Sequence, residues 1–449
     1  MKQKGLGLLA VSAMLALTLS ACGGKNNDEG SSASASNKPS SSASSSPSDA
    51  SPSAPPAENV VLKVTGYKSG TELGAIPELN EKFMKENPNI KVEYEGMPGA
   101  QFKDFIKTRF AAGDASDVIM LHPGLSELLQ YGQAGYLMDI SGEPFLSNFT
   151  QAALKATTQD GKVYGIPNDM AVLGVYYNKE IFNKLGLSVP TNWDDFVADA
   201  DKIKQSGTLP IAIGNNDGWM TLAALFTLAP SAVYDGHPDF DKQLNEGKAT
   251  FAGTWDDMVN KWFSLNDKGY LTPKSTGVSL DQAQKAFAKG DAAMYIDGNW
   301  SLPGIKSANP NIQVGMFAMP ANAAGKDVVA SAAVGTTFAI NKDTKVADAA
   351  KKYLAFWSQA ENQKVWAKSQ QSFMTINGET GDIDEAFKEI AAVVASGHSY
   401  QFLDQGWTYG GAATTEMMTS AQGVYLKAIK PAEMLTNMDK AWADAAKKK

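Results

Sequence analysis

The sequence predicts an α/β fold divided into two lobes. Three observations carry that expectation. Between residues 60 and 121 the apolar spacing switches in the order strand, helix, strand, helix, strand, the pattern of a parallel sheet covered by helices. The chain has 449 residues, too many for one compact core. Its second half again mixes short apolar runs with amphipathic stretches, with helix in excess.

A leader precedes the fold. Lys2 and Lys4 stand before an apolar stretch from Leu6 to Leu19, and Leu19-Ser20-Ala21-Cys22 follows. A charged start, a short apolar run and small residues before a cut mark a secretory signal, and the run falls short of the ~20 residues of a membrane-spanning helix. The Leu-Ser-Ala-Cys ending resembles a bacterial lipobox. It implies that residues 1–21 are removed and that Cys22 is acylated, anchoring the protein outside the cell membrane. Cys22 is the only cysteine, which excludes an intramolecular disulfide. Residues 22–57 are dominated by Ser, Ala, Pro and Gly. Such a segment cannot bury enough surface to offset its conformational entropy and is expected to be a disordered tether.

In the body, Val60 to Thr65 reads as a strand. Ile76, Leu79 and Phe83 recur at helical spacing before Pro88 stops the helix. Ile90, Val92 and Tyr94 alternate as in a strand, and Phe102, Phe105, Ile106 and Phe110 mark a second helix closed by Gly113. Val118 to Leu121 is uniformly apolar, as in a strand covered on both faces. Ligands in such sheets sit beyond the carboxyl ends of the strands, here Gly66 to Leu73 and His122-Pro123-Gly124. Further on, helices are expected at Asp256–Leu265, Leu280–Phe287 and Val346–Trp366. Strands are expected at Gly174–Tyr177, Ala292–Ile296, Gln313–Phe317 and Thr336–Ile340.

The net charge of −8 argues against a nucleic-acid partner, since phosphate binding wants a basic face. The three histidines, His122, His237 and His398, are not paired at helical spacing, and there is no His-Glu-x-x-His, Gly-x-Ser-x-Gly or phosphate loop. Neither a metal nor a cofactor is expected. Asn215-Asn216-Asp217-Gly218 lacks the upstream acids and the closing Glu of a calcium loop. A glycosidase-type carboxylate pair stays open among 48 acidic residues.

The most specific stretch is Tyr164-Gly165-Ile166-Pro167-Asn168-Asp169, followed by Gly174-Val175-Tyr176-Tyr177-Asn178-Lys179-Glu180-Ile181-Phe182. It resembles the signature of bacterial extracellular solute-binding proteins of the sugar-transporter type, the relatives of maltose-binding protein, with Asn168 where the family usually has an apolar residue. Ser116-Asp117-Val118-Ile119-Met120, Pro190-Thr191-Asn192-Trp193-Asp194-Asp195-Phe196, Phe287-Ala288-Lys289-Gly290-Asp291-Ala292-Ala293-Met294 and Asp297-Gly298-Asn299-Trp300 resemble further blocks in the same order. In the second of these, Thr191 suits a helix cap and the two Asp residues suit its positive end. The resemblance implies a two-lobed periplasmic-binding-protein-like fold with a hinge and an interlobe ligand cleft. Lobe I would be 58–168 and 319–372, and lobe II 169–318 and 373–449. It implies a monomeric receptor that captures a carbohydrate and delivers it to the transmembrane subunits of an ABC permease. A secreted polysaccharide-active enzyme and a ligand-presenting receptor for a membrane sensor are the alternatives.

Sugars offer apolar C–H faces and many hydroxyls, so their sites combine aromatic rings with carboxylates or amides. Trp262, Trp357, Trp366 and Trp442 lie in amphipathic helical patterns and read as core, and Trp193 and Trp255 as packing residues at helix starts. Trp219, Trp300 and Trp407 sit beside Gly, Asn or Asp in loop-like stretches, where binding residues concentrate. Trp300 is the leading candidate, because the resembling family often stacks a sugar at this block; Trp219 and Trp407 read equally as cleft or core. Asp217 and Asp297 either accept sugar hydroxyls or cap turns. Tyr67, Lys68 and Glu72 occupy the loop where the family places ligand contacts, and Glu72 also suits a helix start. His122 either donates to a hydroxyl or holds a turn, and Asp169 lies on the crossover between lobes. Gly410-Gly411 suggests close backbone approach or a hinge.

Overall fold

A computed structural model describes residues 59–448 apart from Ser126, Asp217 and Thr380. The expected leader, Cys22 and the tether lie outside the described residues, as does Asp217.

The strands, in chain order, are β1 (Val60–Gly66), β2 (Ile90–Gly96), β3 (Val118–Leu121), β4 (Thr158–Gln159), β5 (Lys162–Val163), β6 (Ile166–Pro167), β7 (Met170–Asn178), β8 (Leu209–Ala212), β9 (Ala292–Gly298), β10 (Val314–Phe317), β11 (Ala330–Val334), β12 (Thr337–Ile340) and β13 (Ser399–Tyr400). Two sheets dominate. The first has the order β2-β1-β3-β12-β6, with β1 parallel to both β2 and β3 and with β12 antiparallel to β3 and β6. The second has the order β13-β11-β7-β9-β8, with β10 also pairing β7. Each sheet has its own apolar core, one around Leu62, Phe83, Met120 and Trp357 and the other around Val172, Tyr176, Trp262 and Met294. These are the two lobes.

The βαβαβ unit forms as its periodicity requires. Helix Ile76–Glu86 buries Ile76, Leu79 and Phe83, and helix Gly99–Ala112 ends at Gly113 in the left-handed conformation (φ 70°). β3 is buried at all four positions. In the second lobe, Asn178 ends β7 and caps helix Lys179–Leu185 by accepting from the amides of Glu180 and Ile181. That gives the Tyr-Asn signature a local reason. Helix Trp193–Gln205 is capped by Asn192, one residue after the expected Thr191, with both Asp residues in its first turn.

Two expectations are revised. The helix expected over 346–366 is two, Ala347–Trp357 and Ala360–Gln370. Side-chain amides of Asn362, Gln363 and Asn148 take the carbonyls of Phe356, Trp357 and Ser358, so the ladder stops there. Met319, Ala321, Ala330, Ala332 and Ala333, expected with the first lobe, pack in the second core, because β11 pairs with β7. The return to the first core starts at β12 and reaches Ile376. Gly410 and Gly411 open helix Gly410–Tyr425, and Gly410 is where a side chain would press on the Asp404 carbonyl.

The passage between lobes is one antiparallel ribbon. Ile166 and Pro167 face Phe338 and Thr337 in the first sheet, and Met170 to Leu173 face Val334 to Ser331 in the second, in the same register. Between them the Asn168 amide donates to Thr336 O (2.9 Å) and the Gly335 amide to Asp169 O (3.0 Å). The third passage lies alongside: Met170 and Phe373 exchange both backbone bonds, and Thr375 Oγ1 donates to Pro167 O (2.6 Å).

At the centre, Asp169 is 4 % exposed. Its Oδ1 accepts from the Thr336 amide (2.8 Å) and hydroxyl (3.1 Å), and its Oδ2 from Trp366 Nε1 (3.0 Å). Removing one partner of a buried polar set costs more than its net bond, because the others stay dry and unpaired. Asp169→Ala should therefore destabilise the protein by about 3 kcal/mol, and Thr336→Val, which spares the amide bond, by about 1 kcal/mol. Melting of the two variants against the parent checks this; equal, small losses would show that the carboxylate does not bind the passages together.

Candidate functional site

The carboxyl ends of β1 and β3 lie side by side, and their next residues meet. The Tyr67 ring stacks on the His122 ring, with centroids 4.0 Å apart and planes 12° apart, and meets Phe102 edge-on. Tyr67 donates through its hydroxyl to Gly335 O (3.2 Å), which ties this wall to the ribbon. Burial pushes the Tyr67 hydroxyl well above its ordinary pKa, with the Asp169 and Glu127 charges adding to it, so it stays a donor.

His122 is set by Glu127, which is 4 % exposed. One Glu127 oxygen lies 2.9 Å from both the His122 amide and His122 Nδ1, and the other lies 3.5 Å from Lys103 Nζ. Burial pushes this carboxyl up, but the His122 ring, its amide and Lys103 outweigh burial and hold it at about 2. The remaining ring nitrogen, Nε2, belongs to a side chain 39 % exposed.

The opposing wall is built by the end of β9. Asp297 is fully buried. It accepts from Tyr295 (2.8 Å), Ser301 (2.5 Å) and the Gly298 amide (2.8 Å), and burial pushes its carboxyl up against those three donors. It fixes the turn Gly298-Asn299-Trp300 in place of facing solvent. The Trp300 indole lies over Gly298, where a Cβ would stand 2.2 Å from the ring, so only glycine fits. Trp300 and Trp219 are both half-buried, with centroids 6.1 Å apart at 45°. Asn299 joins this turn to the passage: its Oδ1 accepts from the Val172 amide (2.8 Å) and its Nδ2 donates to Gln370 O (3.1 Å). Gln370 Nε2 in turn approaches Glu72 O (3.4 Å), and the exposed Glu72 carboxylate is close enough to Asp297 to raise its pKa further.

The structure thus brings Tyr67, His122 and Glu72 of one lobe and Trp219, Trp300 and Asp297 of the other to the two sides of the crossover. Asp169 lies at its centre with both oxygens filled by protein donors. Trp407 is elsewhere: it is fully buried against Phe251 and Trp255, and its Nε1 donates to Asp241 (2.8 Å). Its glycine neighbours suggested a loop, but Gly406 is there because a Cβ at that position would stand 2.3 Å from the Asp241 carboxylate. Residues that sequence reasoning did not single out are Thr336, Trp366 as a donor, Asn299 and Gln370. The clue for Asn299 was its place inside the Asp297–Trp300 block; the others carried none. Among the described residues no group of His, Cys, Asp or Glu comes together that could hold a metal ion, and no helix is long and apolar enough to cross a membrane.

Glu127 gives the site a pH signature. Its folded pKa, about 2, lies below its ordinary 4.5, so the folded state holds its proton less tightly than the unfolded chain. The stability it confers is complete above pH 4.5 and is lost as pH falls from there toward 2, by an amount on the order of 3 kcal/mol. Melting temperatures across that window should fall less steeply in Glu127→Gln than in the parent; parallel curves would remove the effect.

The family of bacterial extracellular solute-binding proteins matches residues 67–364. The multiple sugar-binding protein of Streptococcus mutans is 29% identical over 352 residues, covering 76% of this chain and 83% of its own. The melibiose/raffinose/stachyose-binding protein of Bacillus subtilis is 25% identical over 328 residues, covering 71% and 74%. Among solved structures, a chitin oligosaccharide binding protein superposes with a TM-score of 0.77 at 22% identity, covering 86% of this chain and 99% of its own. The solute-binding protein RafE in complex with raffinose superposes with 0.73 at 25% identity, covering 85% and 98%. With two sheets, two cores and a three-passage crossover, and with this match over most of the folded residues, the chain belongs to the bacterial extracellular solute-binding protein family.

Proposed function

We propose that this protein captures a neutral carbohydrate between its lobes and delivers it to an ABC permease, acting as a monomer held outside the cell membrane by a lipid on Cys22. The observation that carries the ligand class is the Trp219–Trp300 pair, two half-buried indoles beside the crossover. Such rings suit the apolar faces of a sugar, and the rim supplies hydroxyl partners in Glu72 and His122, with the Tyr67 ring behind them. The relatives named for sugars, and the raffinose bound to RafE, support the same reading. Closure would bend the ribbon at Asn168–Asp169 and Gly335–Thr336, with residues up to 168 and from 336 to 376 moving as one lobe. Binding without turnover is favoured because Asp169 and Asp297 have their oxygens taken by protein donors, leaving neither free to protonate a leaving group.

Calorimetric titration against a panel of mono- and oligosaccharides that includes raffinose tests this. A sugar that binds and is recovered unchanged is expected. Trp300→Ala should weaken that sugar at least tenfold, about 1.4 kcal/mol, while the ligand-free protein still melts cooperatively. Full affinity in the variant would take Trp300 out of the site, and consumption of the sugar would replace the receptor with an enzyme.

A further inference from the structure

The segment from Tyr400 to Trp407 belongs to the second lobe by its anchorage, yet its middle touches the first. Asp241, 8 % exposed, accepts from Tyr400 (3.0 Å), from Trp407 Nε1 (2.8 Å) and from Tyr234 (2.5 Å). Tyr400 also stacks on Tyr234, with centroids 3.9 Å apart. One buried carboxylate therefore pins both ends of the segment. Asn245 adds a second tie, donating to Gly406 O (2.8 Å) and accepting from the Thr408 amide (2.9 Å).

Between those ends, Gln405 reaches across. Its side-chain amide donates to Val334 O (3.0 Å), the last residue of β11 before the crossover. Its carbonyl accepts from the Leu125 amide (2.9 Å), in the loop that follows β3 of the first lobe and carries His122. Gly124 makes the approach possible: it has φ +83°, and a Cβ there would stand 2.5 Å from Gln405 O. Beside it, Asp404 lies within electrostatic range of Lys103, His122 and Glu127. Beside the three covalent passages and the Asn299–Gln370 bond, this is a further non-covalent connection between the lobes, and it bears on the ligand-side loop.

The geometry points to Leu403–Trp407 as a clasp that holds the lobes in the arrangement described above, with Asp241 as its positioning residue. A contact made in one lobe arrangement and not in others biases the population toward that arrangement by its own free energy. Asp241 touches neither the first lobe nor the ligand walls described above; it acts through the segment it pins. The inference rests on the reading of this protein as a hinged receptor, but its test needs no sugar.

Backbone amide exchange of the ligand-free, full-length protein reads the clasp directly at Leu125, whose N–H bonds across the lobes. Asp241→Asn should speed exchange at Leu125 at least tenfold and leave β3, in the same lobe, unchanged. Tyr400→Phe, which removes one hydroxyl donor and keeps the ring, should speed it about threefold and serves if Asp241→Asn does not fold. Unchanged Leu125 exchange in a folded variant would overturn the clasp, as would equal acceleration throughout β3, which reports general loosening. Failure of every sugar in the titration panel would overturn the ligand assignment and leave this result standing.

Discussion

The Asp169 carboxylate accepts from the backbone and hydroxyl of Thr336 and from the indole of Trp366. It therefore holds the first passage between the lobes to the second, and through the helix Ala360–Gln370 to the third. A charge in such a dry place is unfavourable by itself, and burial pushes this carboxyl up. Three donors, with Lys68 in electrostatic range, offset part of that cost. Around this point the ribbon keeps one register from sheet to sheet. A slip of one residue would turn every buried side chain of β7 to the wrong face, so the passages can bend but cannot slide.

That constraint decides where the functional side chains can stand. Two half-buried indoles stand on one side of the crossover and a stacked Tyr–His pair on the other, each fixed by a buried carboxylate of its own lobe, Asp297 and Glu127. Asn299 and Gln370 link the tryptophan side back to the passage. Bending at the ribbon moves the two walls relative to each other while each wall stays rigid. Fixed walls and a flexible join suit capture by closure.

Much of this was legible in the sequence. The alternation at Ile90–Tyr94, the helical spacing of Ile76, Leu79 and Phe83 and the apolar run of β3 are local patterns, and the strands and helices lie where they put them. Trp300 stood out because the resembling family often stacks a sugar at this block, and its neighbour Asn299 bonds to Gln370 beside the crossover. Trp407 shows the limit of such reasoning. Its neighbours Gln405, Gly406 and Gly410 look like loop residues, but the glycines mark close approach to Asp241 and Asp404, which only the tertiary packing supplies. Asp169 was legible as a crossover residue, while its three donors lie more than 160 residues away in sequence, beyond the reach of any local pattern. The passage of β11 to the second lobe was hidden for the same reason: Ala-rich strands carry no mark of which sheet they join.

Small-angle X-ray scattering of the protein with and without a saturating sugar from the panel measures the central claim, that ligand is held by bending of the two lobes about the Asp169 crossover. The account predicts a smaller radius of gyration with sugar than without, since closure brings two masses together about one edge. An unchanged radius, with binding shown in the same sample, would contradict it and place the ligand on a single rigid lobe.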